Sequence, residues 1–234
     1  MTLIEALMIP RGVTAFVGGG GKTTAIARLA LELSGSGRVL VATTTRIFPP
    51  GYFTLIDPDV STLSRAFERH SVVAAGSIQG EKLGPPEGLS ELAARCDYAL
   101  IEADGARGLP LKAPAAHEPV IPEDTRLVVA VMGVDGVGRP ISATHRPEIY
   151  ARLTGKPPDA IVTPEDAALV LCHPEGQRKS VRCAWRVLIN KADDAEALEK
   201  ARESARRIPG TAVIASLRSD PIFLEKWRDG ACVS

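Results

Sequence analysis

The sequence alternates short, uniformly apolar runs with stretches in which apolar residues recur every three or four positions. The apolar runs predict strands that are buried on both faces of a sheet, and the longer spacing predicts amphipathic helices. Strands are predicted at 13–17, 38–43, 53–56, 72–76, 98–104, 127–134, 185–190 and 211–216, the last being the final strand. Helices are predicted from Lys22 to the SGSG run at 34–37, at 60–70, 88–96 and 193–208, and from about Pro147 and Pro164. This alternation is typical of an α/β fold with a mainly parallel sheet flanked by helices.

The composition argues against several classes of partner. The 234 residues carry a formal net charge of zero, so a general electrostatic grip on nucleic acid or an anionic membrane is not expected. No apolar run is long enough to span a bilayer, and residues 1–12 lack the basic region of an export signal. The four cysteines form no CxxC pair. We therefore expect a cytoplasmic protein with reduced thiols and with neither nucleic acid nor a membrane as partner.

The stretch FVGGGGKTT, which begins at Phe16, resembles a phosphate-binding P-loop that opens a helix. Glycines allow the tight curl in which backbone N–H groups point at phosphate oxygens, and the helix N-terminus adds its positive end. Phe16 stands where the usual GxxxxGK[ST] pattern requires its first glycine, so we interpret the loop as a shorter GxxGK form, similar to that of Mur-type ligases. Lys22 would reach the outer phosphates, and a threonine hydroxyl would join the shell of Mg²⁺. The predicted nucleotide cradle comprises Gly18, Gly19, Gly20, Gly21, Lys22, Thr23 and Thr24, with Thr23 as the metal ligand; the alternative is a glycine-rich turn that only caps a helix.

A second motif, INKAD at 189–193, closes a predicted strand and opens a helix. NKxD in that position is the guanine-reading motif of GTPases. The Asp193 carboxylate could accept both N–H groups on one edge of guanine, whereas adenine presents an acceptor there. Asn190 would brace the loop and the base, and the stem of Lys191 could lie on the ring of the base. The alternative is that Asp193 is an ordinary helix N-cap.

Two carboxylates, Glu102 and Asp104, lie at the end of the predicted strand 98–104. Alternate residues of a strand face the same side, so we expect both to point together. A carboxylate at a strand end beside a P-loop holds Mg²⁺, directly or through water. We predict that one of the two holds the metal and the other orients a water molecule, with Lys22 as the third catalytic residue. The alternative for Asp104 is a turn or cap before Gly105.

Weaker candidates for substrate or phosphate contacts follow two of the predicted strands. TTTR at 43–46 could supply a hydroxyl to Mg²⁺ or the γ-phosphate, and Thr45 and Arg46 are possible substrate or phosphate contacts, although the string is also ordinary β-rich sequence. The Pro-rich loop 104–126 is long enough to be functional, and we place it over the site. Its basic side chains, and the histidine of HRPE at 145–148, could clamp an anion, or they could belong to a solvated loop and a plain helix start. These residues are Arg107, Lys112, His117 and His145.

A family resemblance follows from the order of several strings. VGGGGKTT, VATTTRIFPP, LIEADGARGLPLKAPAAHEPVIP, HRPE, TPED and LINKAD occur in this order over about residues 13–193. Together they resemble the YqeC family of selenium-dependent hydroxylase accessory proteins, and EADGARGLPLKAP is the most specific of them. The resemblance implies a cytoplasmic P-loop protein tied to the maturation of selenium-dependent molybdenum hydroxylases, with such an enzyme or its cofactor machinery as partner. It implies no particular reaction or substrate.

These observations together predict a single P-loop nucleotide-binding domain over residues 1–234. We expect Mg²⁺ as cofactor and GTP rather than ATP as nucleotide, with hydrolysis as the reaction. The GxxGKTT loop leaves open an ATP-dependent small-molecule kinase or ligase. A third possibility is a nucleotide-binding scaffold without turnover.

Overall fold

The computed structural model describes residues 1–233, in which eleven strands form one sheet. The strands are β1 (Gly12–Gly18), β2 (Val39–Thr43), β3 (Phe53–Ile56), β4 (Val72–Gln79), β5 (Lys82–Gly84), β6 (Tyr98–Glu102), β7 (Thr125–Gly133), β8 (Ala184–Asn190), β9 (Thr211–Ser216), β10 (Phe223–Arg228) and β11 (Ala231–Cys232). Their order across the sheet is β11-β10-β9-β8-β7-β1-β6-β2-β4-β3, with β5 paired to β4. The strands from β9 to β3 in this order are all parallel, and β5, β10 and β11 are antiparallel additions.

Helices cover both faces of the sheet. They are α1 (Leu3–Leu7), α2 (Lys22–Leu33), α3 (Val60–Ala66), α4 (Leu89–Ala93), α5 (Pro147–Thr154), α6 (Pro164–Cys172) and α7 (Ala195–Ala205). Helices α1 and α2 pack on one face, and the other face packs against α3 and α4 at one end and α5, α6 and α7 at the other. Within residues 1–233, no helix combines the length and apolar character needed to cross a membrane.

The prediction of an α/β fold with a mainly parallel sheet flanked by helices is confirmed. The prediction that 211–216 is the final strand is wrong, because β10 and β11 continue the sheet antiparallel to β9. The composition of β10 does not predict a strand, because FLEKWR carries three charged residues and lacks a uniformly apolar run. Only Glu225 and Trp227 of this strand are buried. Two short elements, α1 and β5, were also not predicted, and strand β6 ends at Glu102 rather than at 104.

Helix α1 ties residues near the start of the sequence to strands near its end. It packs against α2 and also against β9 and β10. The side chains of Leu3 and Leu7 are fully buried. The backbone N–H groups of Leu3 and Ile4 donate to the carboxylate of Glu32 on α2, at 3.1 Å and 3.0 Å. These contacts make α1 part of the core on the α2 face.

Strand β1 lies in the centre of the sheet, between β6 and β7, and leads into the glycine loop. Phe16 is fully buried and packs against α2, while Val17 faces the opposite layer. The chain turns only at Gly18, where φ is +96° and a Cβ atom would lie 2.2 Å from the Val131 carbonyl oxygen. Phe16 is therefore a core residue of the strand, and the loop begins at Gly18.

The glycine loop has no space for a side chain at Gly20. Its φ is +70°, and an added Cβ would lie 1.9 Å from the backbone nitrogen of Gly133. We expect Gly20→Ala to lower the free energy of unfolding by about 2–4 kcal/mol, because backbone cannot move aside as a flexible side chain can. Urea denaturation measures this change.

Gly35→Ala is the matched control, because nothing lies within 4 Å of a Cβ added at Gly35, in the turn after α2. We expect this variant to stay within about 0.5 kcal/mol of the parent protein. Equal stability of the two variants would contradict the close packing described for Gly20.

Candidate functional site

A cavity of about 610 Å³ opens at the carboxyl ends of the central strands. Its size suits a small-molecule ligand. The glycine loop, the end of β6 and the segment after β8 all contribute to its wall, so three separate sequence motifs meet in one place. The lining residues are Gly19, Gly20, Gly21, Lys22, Thr23, Thr24, Arg46, Ile47, Phe48, Lys82, Glu102, Gly105, Ala106, Arg107, Gly108, Leu109, Asn190, Lys191, Asp193 and Arg218.

The glycine loop presents the start of α2 to this cavity. Gly18, Gly20 and Gly21 all have positive φ, which lets the chain curl between β1 and α2. No side chain caps the helix at Gly21. The N–H groups of the first helical turn have no acceptor within the helix, and the helix dipole adds positive charge at this end. The arrangement can therefore bind an anion such as a phosphate group.

Residues 105–109 pack directly on the glycine loop. The N–H of Gly20 donates to the carbonyl oxygen of Leu109 at 3.1 Å, and the N–H of Gly133 donates to the Pro110 carbonyl at 3.0 Å. A Cβ at Gly19 would lie 2.4 Å from the Leu109 oxygen. The first part of the Pro-rich loop thus forms one wall of the cavity, while Lys112 and His117, farther along the loop, do not line it.

Lys22 is buried, and its ammonium group turns back onto the glycine loop. Nζ donates to the Gly18 carbonyl oxygen, and it lies 3.1 Å from Asp104 Oδ1 and 3.7 Å from Glu102 Oε1. Burial acts to lower the pKa of Lys22, but the charges of Asp104 and Glu102 outweigh it and raise the pKa above its ordinary value. The lysine is therefore charged at neutral pH and available to an anion that enters the cavity.

Thr23 and Glu102 place two side-chain oxygen groups next to each other beside the glycine loop. The Thr23 hydroxyl donates to Glu102 Oε2 at 3.0 Å. Burial raises the pKa of Glu102, and the attraction of Lys22 opposes that rise. A hydroxyl and a carboxylate beside a phosphate cradle fit Mg²⁺, which takes few protein ligands and keeps water and phosphate oxygens for the rest. Within residues 1–233 no cluster of three or more His, Cys, Asp or Glu side chains that could hold a metal ion occurs.

Asp104 lies behind the glycine loop rather than in the cavity. Both of its oxygens accept the Gly18 N–H, each at 3.0 Å, and Oδ2 lies 2.8 Å from Lys112 Nζ. Its side chain is completely buried. Of the two carboxylates at this strand end, only Glu102 is beside Thr23 and lines the cavity. Asp104 is thus not a plain turn residue, and its contacts fit a positioning group better than a metal ligand.

Asp104 belongs to a line of alternating charges, which we call the buried ion chain. Beyond Lys112 the line continues to Glu118 Oε2 at 2.7 Å, and both carboxylate oxygens of Glu118 accept hydrogen bonds from Arg146. Lys112 is also bonded to the Gly105 carbonyl oxygen at 2.6 Å. In order, the chain comprises Glu102, Lys22, Asp104, Lys112, Glu118 and Arg146. It carries three positive and three negative charges in alternation. Because each buried charge lies next to one of opposite sign, the cost of burying the ionised groups is offset.

The INKAD motif reaches the cavity from β8. Asn190 donates from Nδ2 to the Gly20 carbonyl oxygen at 3.0 Å, and its Oδ1 accepts the Leu217 N–H at 3.3 Å. Asn190 therefore braces the glycine loop. Lys191 also lines the cavity, and its ammonium group pairs with Asp135 at 2.9 Å.

Asp193 is not the N-cap of the helix that follows. The cap of α7 is Asp194, whose side chain accepts the Ala197 N–H at 2.8 Å. Asp193 instead lines the cavity and accepts a hydrogen bond from the Ser216 hydroxyl. The alternative interpretation of Asp193 as a cap is therefore wrong, and its carboxylate is available to a ligand.

The weaker candidates divide between the cavity and the interior. Arg46 and Arg107 line the cavity. Lys112 is fully buried in the ion chain, and the surface-exposed His117 and the half-buried Thr45 lie outside the lining. His145 is buried where its backbone pairs with Leu111 and Ala113. Burial lowers the pKa of His145, and the cations Arg146 and Lys112 lower it further, so it is neutral at pH 7.

Sequence reasoning missed several residues of the site. Asp135 follows β7 and pairs with Lys191, and Ser216 ends β9 and holds Asp193. No string in the sequence marks either residue, and both reach the site because the carboxyl ends of neighbouring parallel strands meet at one edge. Phe48, Lys82 and Arg218 also line the cavity, and no motif marks them in the sequence.

The buried ion chain predicts a strong effect of removing Lys112. Lys112→Met keeps most of the side-chain volume but leaves Asp104 and Glu118 without their shared cation. Breaking a buried ion pair on one side costs about 3–5 kcal/mol, so we expect the free energy of unfolding to fall by that amount in urea at pH 7. Arg152→Met is the control, because its ion pair with Glu175 is exposed, with 62% and 60% of the side chains accessible, and should matter by less than about 0.5 kcal/mol. A similarly small loss in both variants would contradict the assignment.

Glu118 predicts a pH dependence. Burial acts to raise the pKa of Glu118, but hydrogen bonds from Arg146 and Lys112 outweigh it and hold the pKa at about 2, below the ordinary 4.5. A carboxylate with a lowered folded-state pKa stabilises the fold above its unfolded-state pKa, and this stability is lost as pH falls from about 4.5 to about 2.

Glu118→Gln should therefore flatten this part of the stability curve. The difference in the free energy of unfolding between parent and variant should shrink by on the order of 1–2 kcal/mol as the pH falls through this window. This figure is reduced for the partial solvent access of Glu118. Denaturation at a series of acid pH values measures it. Parallel curves for parent and variant would contradict the assignment.

Two comparisons with known proteins identify the family of this chain. The family model described as YqeC protein matches residues 14–148, which include the glycine loop, Glu102, Asp104 and the Pro-rich loop. The uncharacterized protein YqeC of Escherichia coli (strain K12) is 41% identical over 186 residues, which cover 72% of this chain and 71% of that protein. On both grounds, the chain belongs to the YqeC family.

Proposed function

We propose that this protein is a Mg²⁺-dependent nucleoside triphosphatase that prefers GTP. The observation that carries the proposal is the meeting of two ligand-reading groups in one cavity. Lys22, Thr23 and Glu102 lie together at the end of β1 and β6, and Asp193 lies in the same cavity beyond β8. The first group suits a metal-bound triphosphate, and the second suits the edge of a guanine base.

On the phosphate side, the start of α2 would hold the phosphate oxygens through its free N–H groups. Lys22 would exchange the Gly18 carbonyl and Asp104 for the outer phosphates. The Thr23 hydroxyl and the Glu102 carboxylate would hold Mg²⁺, which supplies charge neutralisation on those phosphates when it is bound. Asp104 would stay behind the loop and fix the Gly18 N–H.

On the base side, Asp193 would accept the two neighbouring N–H groups of guanine. The hydrogen bond from Ser216 holds the Asp193 carboxylate in one orientation, and Asn190 ties this region to the Gly20 carbonyl. Fixed orientation favours a bidentate contact, because little side-chain entropy remains to be lost on binding. The base and the phosphates would therefore be read by parts of the chain that are already linked.

With water as the acceptor of the γ-phosphate, the protein would be a factor driven by GTP hydrolysis. The resemblance of its sequence motifs to those of the YqeC family supports an accessory role in the maturation of selenium-dependent molybdenum hydroxylases in the cytoplasm. A second candidate is a small-molecule kinase or ligase. It is favoured by the extent of the cavity beyond Glu102, toward Phe48 and Lys82. Turnover that requires an added small acidic substrate would identify the second function, whereas tight binding without turnover would identify a scaffold.

The test of nucleotide binding is calorimetric titration with hydrolysis-resistant GTP and ATP analogues in the presence of Mg²⁺. We expect the guanine analogue to bind more tightly, and Lys22→Ala to weaken its binding by about 10–100-fold, because a charge-assisted contact to phosphate is lost. Circular dichroism would check that the variant is folded. Unchanged affinity in a folded Lys22→Ala variant would remove the P-loop assignment.

The test of base reading uses two neighbouring aspartates. Asp193→Asn should reduce the preference for the guanine over the adenine analogue by about 10-fold or more, since one acceptor becomes a donor. Asp194→Asn is the control, because Asp194 caps α7 and does not line the cavity. We expect it to leave the base preference unchanged. The same preference in the parent and in Asp193→Asn would contradict guanine reading by this motif.

A further inference from the structure

The cavity contains more positive charge than one nucleotide would use. Arg46, Lys82 and Arg107 all line it, and none of the three forms an ion pair with a carboxylate of residues 1–233. A magnesium–nucleoside triphosphate complex carries about two net negative charges, since the metal neutralises the rest. Lys22 and the N-terminus of α2 already face those charges. These three cations, together with Arg218 on the β9 side, are therefore left over in a chain whose formal net charge is zero.

Sheet order places two of these cations, Arg46 and Lys82, away from the glycine loop. Arg46 follows β2 and Lys82 begins β5, which pairs with β4; β2 and β4 are the second and third strands from β1 on the β6 side. Neighbouring strands lie about 4.8 Å apart, so this part of the wall is roughly 10–14 Å from β1 along the sheet. Asp193 lies on the opposite side of β1, beyond β8. Arg46 and Lys82 are thus at the far end of the cavity from the base-reading group, whereas Arg107 follows β6, the strand next to β1.

This wall is held in place by backbone pairing. Ile47 and Leu83 exchange two backbone hydrogen bonds of 3.0 Å and 2.8 Å, which fixes the segment after β2 against β5. Lys82 Nζ consequently lies over the ring of Phe48, 4.8 Å from its centre. Arg107 approaches from the segment after β6, where its φ is +51°. The cations therefore come from three segments that converge on one space.

We propose that this end of the cavity binds a second, small substrate that carries about two negative charges on phosphate or carboxylate groups. The inference rests on the nucleotide site of the proposed function. It places this substrate beside the outer phosphate of the bound nucleotide, where it would replace water as the acceptor, as in the second candidate function. Phe48 and Arg46 form its outer wall, Arg107 closes the side toward the glycine loop, and Glu102 marks the boundary with the nucleotide.

The test is a calorimetric titration of inorganic phosphate into protein saturated with Mg²⁺ and a hydrolysis-resistant GTP analogue. We expect one phosphate to bind, and the double variant Arg46→Gln with Lys82→Gln to weaken it at least about 10-fold, while the affinity for the analogue changes by less than about twofold. Arg107→Gln should weaken phosphate binding in the same direction. No phosphate binding up to about 10 mM, or equal binding in parent and variants, would overturn the proposal.

Arg218→Gln is the matched control, because Arg218 lines the same cavity on the β9 side and also lacks an ion pair within residues 1–233. We expect the phosphate affinity of this variant to stay within about twofold of the parent value. A loss equal to that of the double variant would show only a general electrostatic effect and would overturn the assignment of the site. If the double variant instead loses affinity for the GTP analogue, the cations serve the nucleotide itself and the second substrate site falls.

Failure of the proposed function would be recognised separately. If the GTP analogue does not bind, the phosphate titration is repeated on Lys22→Ala, in which the phosphate cradle lacks its lysine. If Lys22→Ala binds phosphate and loses that binding when Arg46→Gln and Lys82→Gln are added, the result would support an anion site at this end of the cavity that needs no nucleotide. A phosphate affinity that these two substitutions leave unchanged would overturn both proposals together.

Discussion

The Asp104 carboxylate accepts the Gly18 N–H with both oxygens and pairs with Lys22 on one side and Lys112 on the other. This buried charge sets the position of the first loop residue and the direction of the loop lysine at the same time. A buried carboxylate is costly unless it is paired and hydrogen-bonded, so the surrounding donors are a condition of the fold. The Pro-rich loop supplies one of those donors, Lys112, and is thereby fastened beneath the glycine loop.

The buried ion chain explains how Lys22 could serve a ligand without unbalancing the interior. In the structure, Lys22 is bound to the Gly18 carbonyl oxygen and lies between Asp104 and Glu102. If it turned toward a phosphate, Asp104 would keep Lys112 at 2.8 Å, and Glu102 would keep the Thr23 hydroxyl at 3.0 Å. Each carboxylate has a second partner, so the movement leaves neither of them alone. The arrangement of charges therefore suits a lysine that changes partners.

Much of this molecule could be predicted from its sequence. The uniformly apolar runs specified the parallel strands, and the residues that follow them specified the edge of the sheet where the site lies. Glu102, Asn190 and Asp193 were placed by motif and reach one cavity, because parallel strands end at the same edge. Gly18 could be identified as the start of the loop from residue spacing alone, although Phe16 broke the usual pattern.

The remaining features depend on contacts between distant parts of the chain. Lys112 lies in a Pro-rich loop and has the composition of a solvated residue, and only the fold brings it between Asp104 and Glu118. His145 was expected at the site, yet it is used to pair backbone with the loop at Leu111 and Ala113. Asp135 and Ser216 belong to no recognisable string, since their roles come from neighbours on adjacent strands. Sequence patterns identify residues that touch a ligand more readily than residues that hold those residues in place.

The packing of α1 has a consequence for the order in which the molecule forms during translation. Residues 3–7 leave the ribosome well before β10, yet they pack against β9 and β10 as well as against α2. The leucines of α1 therefore lack part of their final surroundings until residues 223–228 have been synthesised. A vectorially emerging chain can build the central strands earlier, but α1 cannot complete its contacts until β10 has emerged. The part of α1 that β9 and β10 cover therefore stays exposed until residues 223–228 have been synthesised.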